Sequence, residues 1–526
     1  MIRRLAIFGA TGDLTARYLL PGLAALVAAG DLGDDFRLTG ASRESWSSDE
    51  FQRWATARLE RHAGHLPAAA RQAVVAASRY HQADVTDPAS VAAVIAGDGP
   101  VAAYLALPPG IFPAAVSALG AAGLPAGSRI VLEKPFGEDL DSAIELNRLL
   151  AGVVPEEAVF RVDHFLAMTT VQNLLGARLA NRVLEPIWNS AHIEGVDIVW
   201  DESLTLEERA GYYDGAGALK DMLQNHLLQI LCLVAMEPPL SLGERDLRDR
   251  KMDVLRSVRP LADADVAHRT RRGRYLAGRI GDRRVPAYAD EEGVDPARRT
   301  ETFAEVELEL DNWRWPGTIF RLRTGKALRR DRKEVAVRFR PVPHAPFRRD
   351  AEARPNVLRF GLDPETLTLE LNGTIPRANA SALAPLTLTS RLAPPELPAY
   401  GRLLLDVLNG HGALSIRGDE AEESWRVLTP VLSAWDKDLV PLVEYPAGSE
   451  GPGPDPGPGR LPPPGGGAVG AGRPRSRTRQ GIRADSACTA RLILEAPARR
   501  CSNRIGTSMA VWPARSASDF ASTWKL

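Results

Sequence analysis

Two rhythms of apolar and polar residues divide this chain. Up to residue 165, short apolar runs alternate with amphipathic stretches. The runs are Leu5–Phe8, Phe36–Thr39, Ala102–Leu107, Arg129–Leu132 and Ala158–Val162, and helix-patterned stretches such as Leu19–Ala29 and Pro113–Ala122 lie between them. Short buried runs separated by helical stretches predict βαβ units on a parallel sheet.

From residue 166 the rhythm changes. Val171–Asn181 and Gly217–Val234 read as helices. Alternating strands follow. In Thr302–Leu310, Ala304, Val306, Leu308 and Leu310 share one face, while Glu305, Glu307 and Glu309 share the other. Val335, Val337 and Phe339 repeat the period, as do the leucines of Thr366–Leu371. A period of two with one apolar face predicts a large antiparallel sheet, covered on one side, in an α+β domain.

The pattern fails after residue 450. Residues 451–470 contain eight Gly and seven Pro, and from Pro452 onward 12 Lys/Arg stand against four Asp/Glu. Such a segment cannot bury enough apolar surface to offset its ordering entropy, so residues 451–526 read as a disordered tail. The overall net charge of −1 over 526 residues therefore averages a tail of +8 and a body of −9. An acidic body argues against nucleic acid as a partner. Three scattered cysteines, Cys232, Cys488 and Cys501, give no disulfide or zinc framework. No stretch is long and apolar enough for a membrane span, and the N-terminal run is too short for a signal peptide, so a cytoplasmic protein is expected. The expected organisation is a dinucleotide-binding domain over 1–165, an α+β domain over 166–450, and the tail.

The first strand runs directly into Gly9-Ala10-Thr11-Gly12-Asp13-Leu14 and then a helix. Glycines there let backbone N–H groups approach a pyrophosphate, and the helix N-terminus favours an anion. The second strand ends in Thr39-Gly40-Ala41-Ser42-Arg43. An NAD site would want a carboxylate at that end; with Ser42 and Arg43 instead, pairing of Arg43 with a 2′-phosphate favours NADP.

Five motifs then occur in order: the glycine loop, Glu133-Lys134-Pro135-Phe136-Gly137, Arg161-Val162-Asp163-His164, Asp221-Met222-Leu223-Gln224-Asn225-His226, and Arg323-Thr324-Gly325-Lys326. Together they resemble the glucose-6-phosphate dehydrogenase family over residues 1–450. The resemblance implies oxidation of glucose 6-phosphate at C1 to the lactone, the first oxidative step of the pentose phosphate pathway, with NADP reduced. It implies His226 as general base and Asp163 as its carboxylate partner. Lys134, His164, Glu202, Asp221 and Lys326 would hold the sugar phosphate. Gly9, Thr11, Gly12, Asp13, Leu14, Arg43, Pro108 and Lys134 would hold the cofactor. A homodimer or homotetramer is also implied. The chemistry fits these residue types: a C1 hydroxyl that loses its proton needs a base near neutrality, and a carboxylate beside a histidine orients it. On a regular α-helix Asp221 would lie about 140° around the axis from His226, flanking it.

The departures from the family pattern fall at the phosphate. Met168 and Phe165 stand where a lysine and a tyrosine are usual, Asp331 where a cation is usual, and Tyr18 replaces a lysine near the glycine loop. A sugar 1-dehydrogenase of the same family acting on a non-phosphorylated or differently substituted sugar is therefore an alternative, and a non-catalytic NADP-binding paralogue or regulatory subunit is another.

Overall fold

The computed structural model describes residues 1–206, 210–344, 346–347, 353–377, 380–393, 395–453 and 492–493. The expected disordered tail lies outside the described residues, apart from 451–453 and 492–493.

Six strands form the first sheet: β1 Arg4–Phe8, β2 Arg37–Ser42, β3 Ser78–Gln82, β4 Ala102–Leu105, β5 Arg129–Glu133 and β6 Val159–Val162. Their order is β3-β2-β1-β4-β5-β6 and every pairing is parallel. The four apolar residues of β1 and all four of β4 are buried, as strands covered by helices on both faces require. The strand order reverses between β1 and β4, so a crevice opens at their carboxyl ends, where such sheets bind ligands.

The second sheet is built from β7 Ile193–Asp201, β8 Thr270–Leu276, β11 Phe303–Leu308, β12 Ile319–Gly325, β13 Arg332–Phe339, β14 Val357–Asp363, β15 Glu365–Arg377, β16 Ala380–Arg391, β17 Leu442–Pro446 and β18 Leu492–Ile493. A small hairpin, β9 Gly278–Ile280 and β10 Arg283–Val285, stands apart. The order is β17-β8-β11-β12-β7-β13-β14-β15-β16-β18. The sheet is mixed rather than wholly antiparallel, because β7 runs parallel to β12, β17 parallel to β8 and β18 parallel to β16. Alternation in sequence reports faces and carries no information on strand direction; β7 is separated from the later strands by helices and enters the middle of the sheet from that distance.

The apolar face of this sheet carries Val196, Ile198, Val306, Leu322 and Val335 and packs with helical residues such as Leu219, Leu223 and Ile230. The opposite face is less exposed than a solvated sheet face. Asp197, Arg321, Glu334 and Arg359 are buried there. Arg321 reaches Asp197 at 2.8 Å, and Arg359 reaches Glu334 at 2.9 Å and Glu370 at 2.7 Å. Each charge is thus neutralised by a cross-strand partner, the condition for burying it.

One apolar cluster includes Leu105, Phe112 and Leu132 together with Trp188, Ile198 and Leu219, so the two halves share a continuous core. The helix Ala399–Asn409 returns to the first sheet, packing Tyr400, Leu403 and Leu404 with Leu19 and Leu23. The contact is close enough that a Cβ on Gly22 would meet the Gly401 nitrogen at 3.1 Å.

Candidate active site

The glycine loop sits at the reversal point of the first sheet. Gly9 has φ +87°, and a Cβ there would lie 2.1 Å from the Ala106 carbonyl oxygen at the end of β4. Only glycine permits that approach. Gly12 N–H closes the turn on Gly9 O at 3.1 Å, and Thr15 Oγ1 donates to the same carbonyl at 3.3 Å. Pro108 begins the short turn after β4. The expected loop residues Gly9, Thr11, Gly12, Asp13 and Leu14, and Pro108, therefore follow β1 and β4, the two strands between which the order reverses. Asp13 is exposed and pairs with Arg17 at 3.3 Å, and Arg43 stands exposed at the end of β2.

The segment holding the Asp221–His226 motif is wound as a π-helix over Leu219–Leu227, not as the regular α-helix expected. Hydrogen bonds spanning five residues bring positions five apart towards one face. Asp221 and His226 therefore share a face instead of flanking one another, and each feels the other's charge. The helix starts after a break at Gly217, φ +70°. Its first N–H groups are met by one residue from outside: Glu301 Oε1 accepts from Leu219 N at 2.9 Å, and Glu301 O accepts from Ala218 N at 3.1 Å. A Cβ on Gly217 would collide with the Glu301 carboxylate at 2.5 Å.

His226 and Asp163 face each other with Nδ1 to Oδ1 at 2.6 Å, and neither side chain is exposed. Asp163 directly follows β6, and its Oδ1 also accepts from Phe165 N at 2.9 Å. Burial pushes the His226 imidazole below its usual pKa, and the Asp163 charge only partly restores it. Burial would raise Asp163, but the imidazoles of His226 and His164 outweigh it and hold the carboxyl below its usual range. At neutral pH the imidazole is therefore neutral, donating Nδ1–H to Asp163. Its Nε2, buried and without a hydrogen-bond partner among the described residues, is left as an acceptor. Phe165 stacks on the ring at 3.8 Å and 9°, fixing its plane.

Lys134, one residue beyond β5, donates to both the Asp221 carbonyl and its Oδ1 at 2.8 Å. Burial would raise Asp221, but Lys134 and Lys326 hold it well below the usual carboxylate range. Lys326 pairs with Glu202 at 2.8 Å, and Trp200 Nε1 donates to the same carboxylate at 3.3 Å. Glu202 thus lies on the same side of the strand end as Trp200. His164 packs edge-on against His226 and stacks on Tyr400, and burial drives its pKa down to about 3, so it too is neutral.

The departures from the family pattern each take a structural place. Met168 is buried in the main core. Asp331 does not face the site as a free carboxylate: its Oδ1 accepts from Ser203 N at 2.6 Å and Ser203 Oγ at 2.7 Å. Tyr18 stacks on Tyr400 at 5.0 Å. Arg332, next to Asp331, is engaged by Glu334 at 2.8 Å.

Three acidic side chains escaped the sequence reading. Glu301 is described above. Glu133, next to Lys134, accepts from Tyr104 OH at 2.5 Å, and burial raises its carboxyl to about 7. Glu44 corrects the statement that the end of β2 lacks a carboxylate: its Oε2 accepts from Thr11 Oγ1 at 3.1 Å.

Residues 6–173 match the family model for glucose-6-phosphate dehydrogenase, NAD binding domain, and residues 175–455 match that for glucose-6-phosphate dehydrogenase, C-terminal domain. The chain belongs to the glucose-6-phosphate dehydrogenase family. It is 41% identical to a glucose-6-phosphate 1-dehydrogenase of Mycolicibacterium smegmatis over 85% of this chain and 93% of that protein. It is 39% identical to one of Rhizobium meliloti over 85% of this chain and 94% of that protein. Among solved structures it resembles a glucose-6-phosphate dehydrogenase in complex with glucose 6-phosphate, with a TM-score of 0.78 at 30% identity over 86% of this chain and 95% of that one. A glucose-6-phosphate 1-dehydrogenase from Mycobacterium avium matches with a TM-score of 0.75 at 33% identity, again over 86% and 95%.

Proposed function

We propose that this chain oxidises glucose 6-phosphate at C1 to the lactone, with NADP as acceptor. The observation that carries the reading is the buried His226–Asp163 pair, whose open Nε2 shares a face with the Lys134–Asp221 pair. Two features support the cofactor's place: Gly9, which alone lets the loop close against the Ala106 carbonyl at the strand-order reversal, and the His226 Nε2, buried and without a partner among the described residues. Gly9, Thr11, Gly12, Asp13 and Leu14 would hold the pyrophosphate, Arg43 the adenosine end, and Pro108 and Lys134 the nicotinamide end. When bound, NADP supplies the acceptor for hydride.

His226 takes the C1 hydroxyl proton at Nε2. Asp163 keeps Nδ1 protonated beforehand and stabilises the imidazolium afterwards. Asp221 and Glu202, paired with Lys134 and Lys326, accept from sugar hydroxyls. The same lysines, with His164, face the phosphate. Phe165 confines the imidazole plane and excludes water from its face.

A substrate without the phosphate is the second reading. Met168, apolar and buried where a charge would be expected, favours it. Steady-state kinetics with glucose 6-phosphate and glucose separate the two. The first reading expects the phosphorylated sugar to be preferred by at least two orders of magnitude in kcat/KM. Equal values for the two sugars would transfer the assignment to the second reading. Residues 1–165 serve the cofactor and 166–450 the sugar in this account, and the enzyme acts as a homodimer or homotetramer in the cytoplasm.

A further inference from the structure

His226 sits in the last turn of the π-helix, which runs without a break into the helix Leu228–Ala235. All eight side chains of that second helix are buried. Gln229 is its one amide; the others are aliphatic, apart from the small hydrophobe Cys232. A helix buried on every side among apolar neighbours gains little from one rotation about its axis over another. Gln229 is therefore the side chain that tells the rotations apart. Its Oε1 accepts from Lys251 Nζ at 2.8 Å, and Lys251 pairs with Glu420 at 2.8 Å. Lys251 and Glu420 are 1% and 0% exposed, so the pair is shut off from solvent.

The strand that carries Asp163 is tied to the same pair. Glu420 stands in the first turn of the helix Gly418–Asp436. The chain just before that helix is stitched to β6: Ile416 N donates to the Arg161 carbonyl at 2.9 Å, and Ser415 Oγ donates to it at 3.2 Å. Gly418 N donates to Glu156 Oε1 at 2.9 Å, and the same oxygen holds the buried Arg161 guanidinium at 2.7 Å. Arg161 lies two residues before Asp163. Lys251 itself sits on the helix Glu244–Ser257, where Arg248, three residues earlier, donates to the Ser415 carbonyl at 3.0 Å. Two charges taken out of water are a poor source of stability, because apolar residues of similar volume often do as well or better.

We propose that Gln229, Lys251 and Glu420 are positioning residues for the catalytic base, a buried brace that fixes the rotation of the helix carrying His226 relative to the strand carrying Asp163. The brace closes a ring around the dyad. It runs from His226 to Gln229 along one helix, through Lys251 to Glu420, back through residues 415–418 to β6, and along the strand to Asp163. Rotation of the unbraced helix lengthens the Nδ1–Oδ1 contact and turns Nε2 away from C1. Lys134, His164, Glu202 and Lys326 lie on other elements, so the loss falls on kcat more than on KM. The inference rests on the assignment of His226 as the base for C1.

The test compares the full-length wild type with Gln229→Leu and with the double variant Lys251→Met/Glu420→Leu. Gln229→Leu leaves the ion pair intact and cuts only its link to the helix. The readouts are thermal unfolding, steady-state kinetics with glucose 6-phosphate, and the downfield imidazole N–H proton resonance that His226→Asn abolishes. Gln229→Leu is expected to unfold close to the wild-type temperature, and the double variant at or above it. In both, kcat is expected to fall about tenfold to a hundredfold, KM to change about twofold or less, and the N–H resonance to move upfield or broaden. A merely structural role would lower the unfolding temperature and leave kcat and the resonance of the folded protein where they are. An unmoved resonance or an unchanged kcat in folded Gln229→Leu overturns the proposal, as does a KM that rises as far as kcat falls. If the double variant does not fold, the pair carries stability and Gln229→Leu decides. If the wild type oxidises no glucose 6-phosphate, the proposed activity fails, and the resonance in Gln229→Leu still decides the brace.

Discussion

Asp163 Oδ1 lies 2.6 Å from His226 Nδ1, with both side chains sealed from solvent and a phenyl ring, Phe165, stacked on the imidazole. The pair joins the end of a parallel strand to the last turn of a π-helix. The first sheet and the helical layer must therefore be docked before the base exists.

The pair has a pH signature. His226 works as a base only when neutral, and burial lowers its pKa, so the acid limb of kcat/KM is expected below about 6.5. Asp163 is the main group that raises His226. Asp163→Asn removes that charge, so the limb moves to still lower pH. The plateau is expected to fall about 10²–10⁴-fold, since Asn also releases the tautomer that leaves Nε2 free. A pH–rate profile of wild type and variant checks both.

Lys134 and Asp221 are mutually dependent. Each is about 15% exposed, and their polar atoms are 2.8 Å apart. Lys134→Met strands a carboxylate in a mostly dry site and is expected to cost about 3 kcal/mol of stability. Asp221→Asn in the same chain is expected to recover part of that loss. A double-mutant cycle in urea measures the coupling, and strict additivity would contradict the pairing.

Glu301 acts at a distance as the cap of the helix that carries Asp221 and His226. Glu301→Ala leaves the Leu219 N–H without its acceptor and is expected to cost about 1–2 kcal/mol, with kcat reduced as the helix start loosens. Glu301→Gln keeps an acceptor oxygen and is expected to retain most of both. Thermal unfolding and kcat of the two variants separate capping from charge.

Glu133 gives stability a pH dependence of its own. Its folded pKa is raised to about 7 by burial, against an ordinary value of 4.5. The unfolded chain therefore releases the proton first. The contribution of Glu133 is full below 4.5 and is lost as pH rises to about 7, with a slope of at most about 1.4 kcal/mol per pH unit. Glu133→Gln removes that slope while keeping an acceptor for Tyr104. Relative to wild type, the variant is expected to gain stability steadily from pH 4.5 to pH 7 in denaturant titrations.

Much of this site was legible because its residues follow strands. Lys134 after β5, Asp163 after β6 and the loop after β1 announce themselves as polar residues ending apolar runs, and the crevice follows from the strand order. The remainder depends on partners far along the chain. The cap on the catalytic helix comes from Glu301, some 80 residues beyond it, and no local pattern marks that residue. The π winding of Leu219–Leu227 is invisible to a period of 3.6 residues, which sets Asp221 and His226 about 140° apart where the structure turns them towards one face. Glu44 carries no mark in the sequence; its carboxylate meets Thr11 Oγ1 only because β2 and the glycine loop lie side by side in the fold. The parallel neighbours of β7 and β8 were hidden because alternation is blind to direction.

The central claim is that His226 removes the C1 proton of glucose 6-phosphate while NADP is reduced. Its most direct measurement is NADPH formation by the purified full chain with glucose 6-phosphate, compared with His226→Asn under the same conditions. The expected result is saturable turnover in the wild type and a loss of at least about 10²-fold in kcat for the variant, with its binding of 2′-phosphorylated ADP-ribose unchanged. No NADPH from the wild type, or undiminished kcat in the variant, would contradict the account.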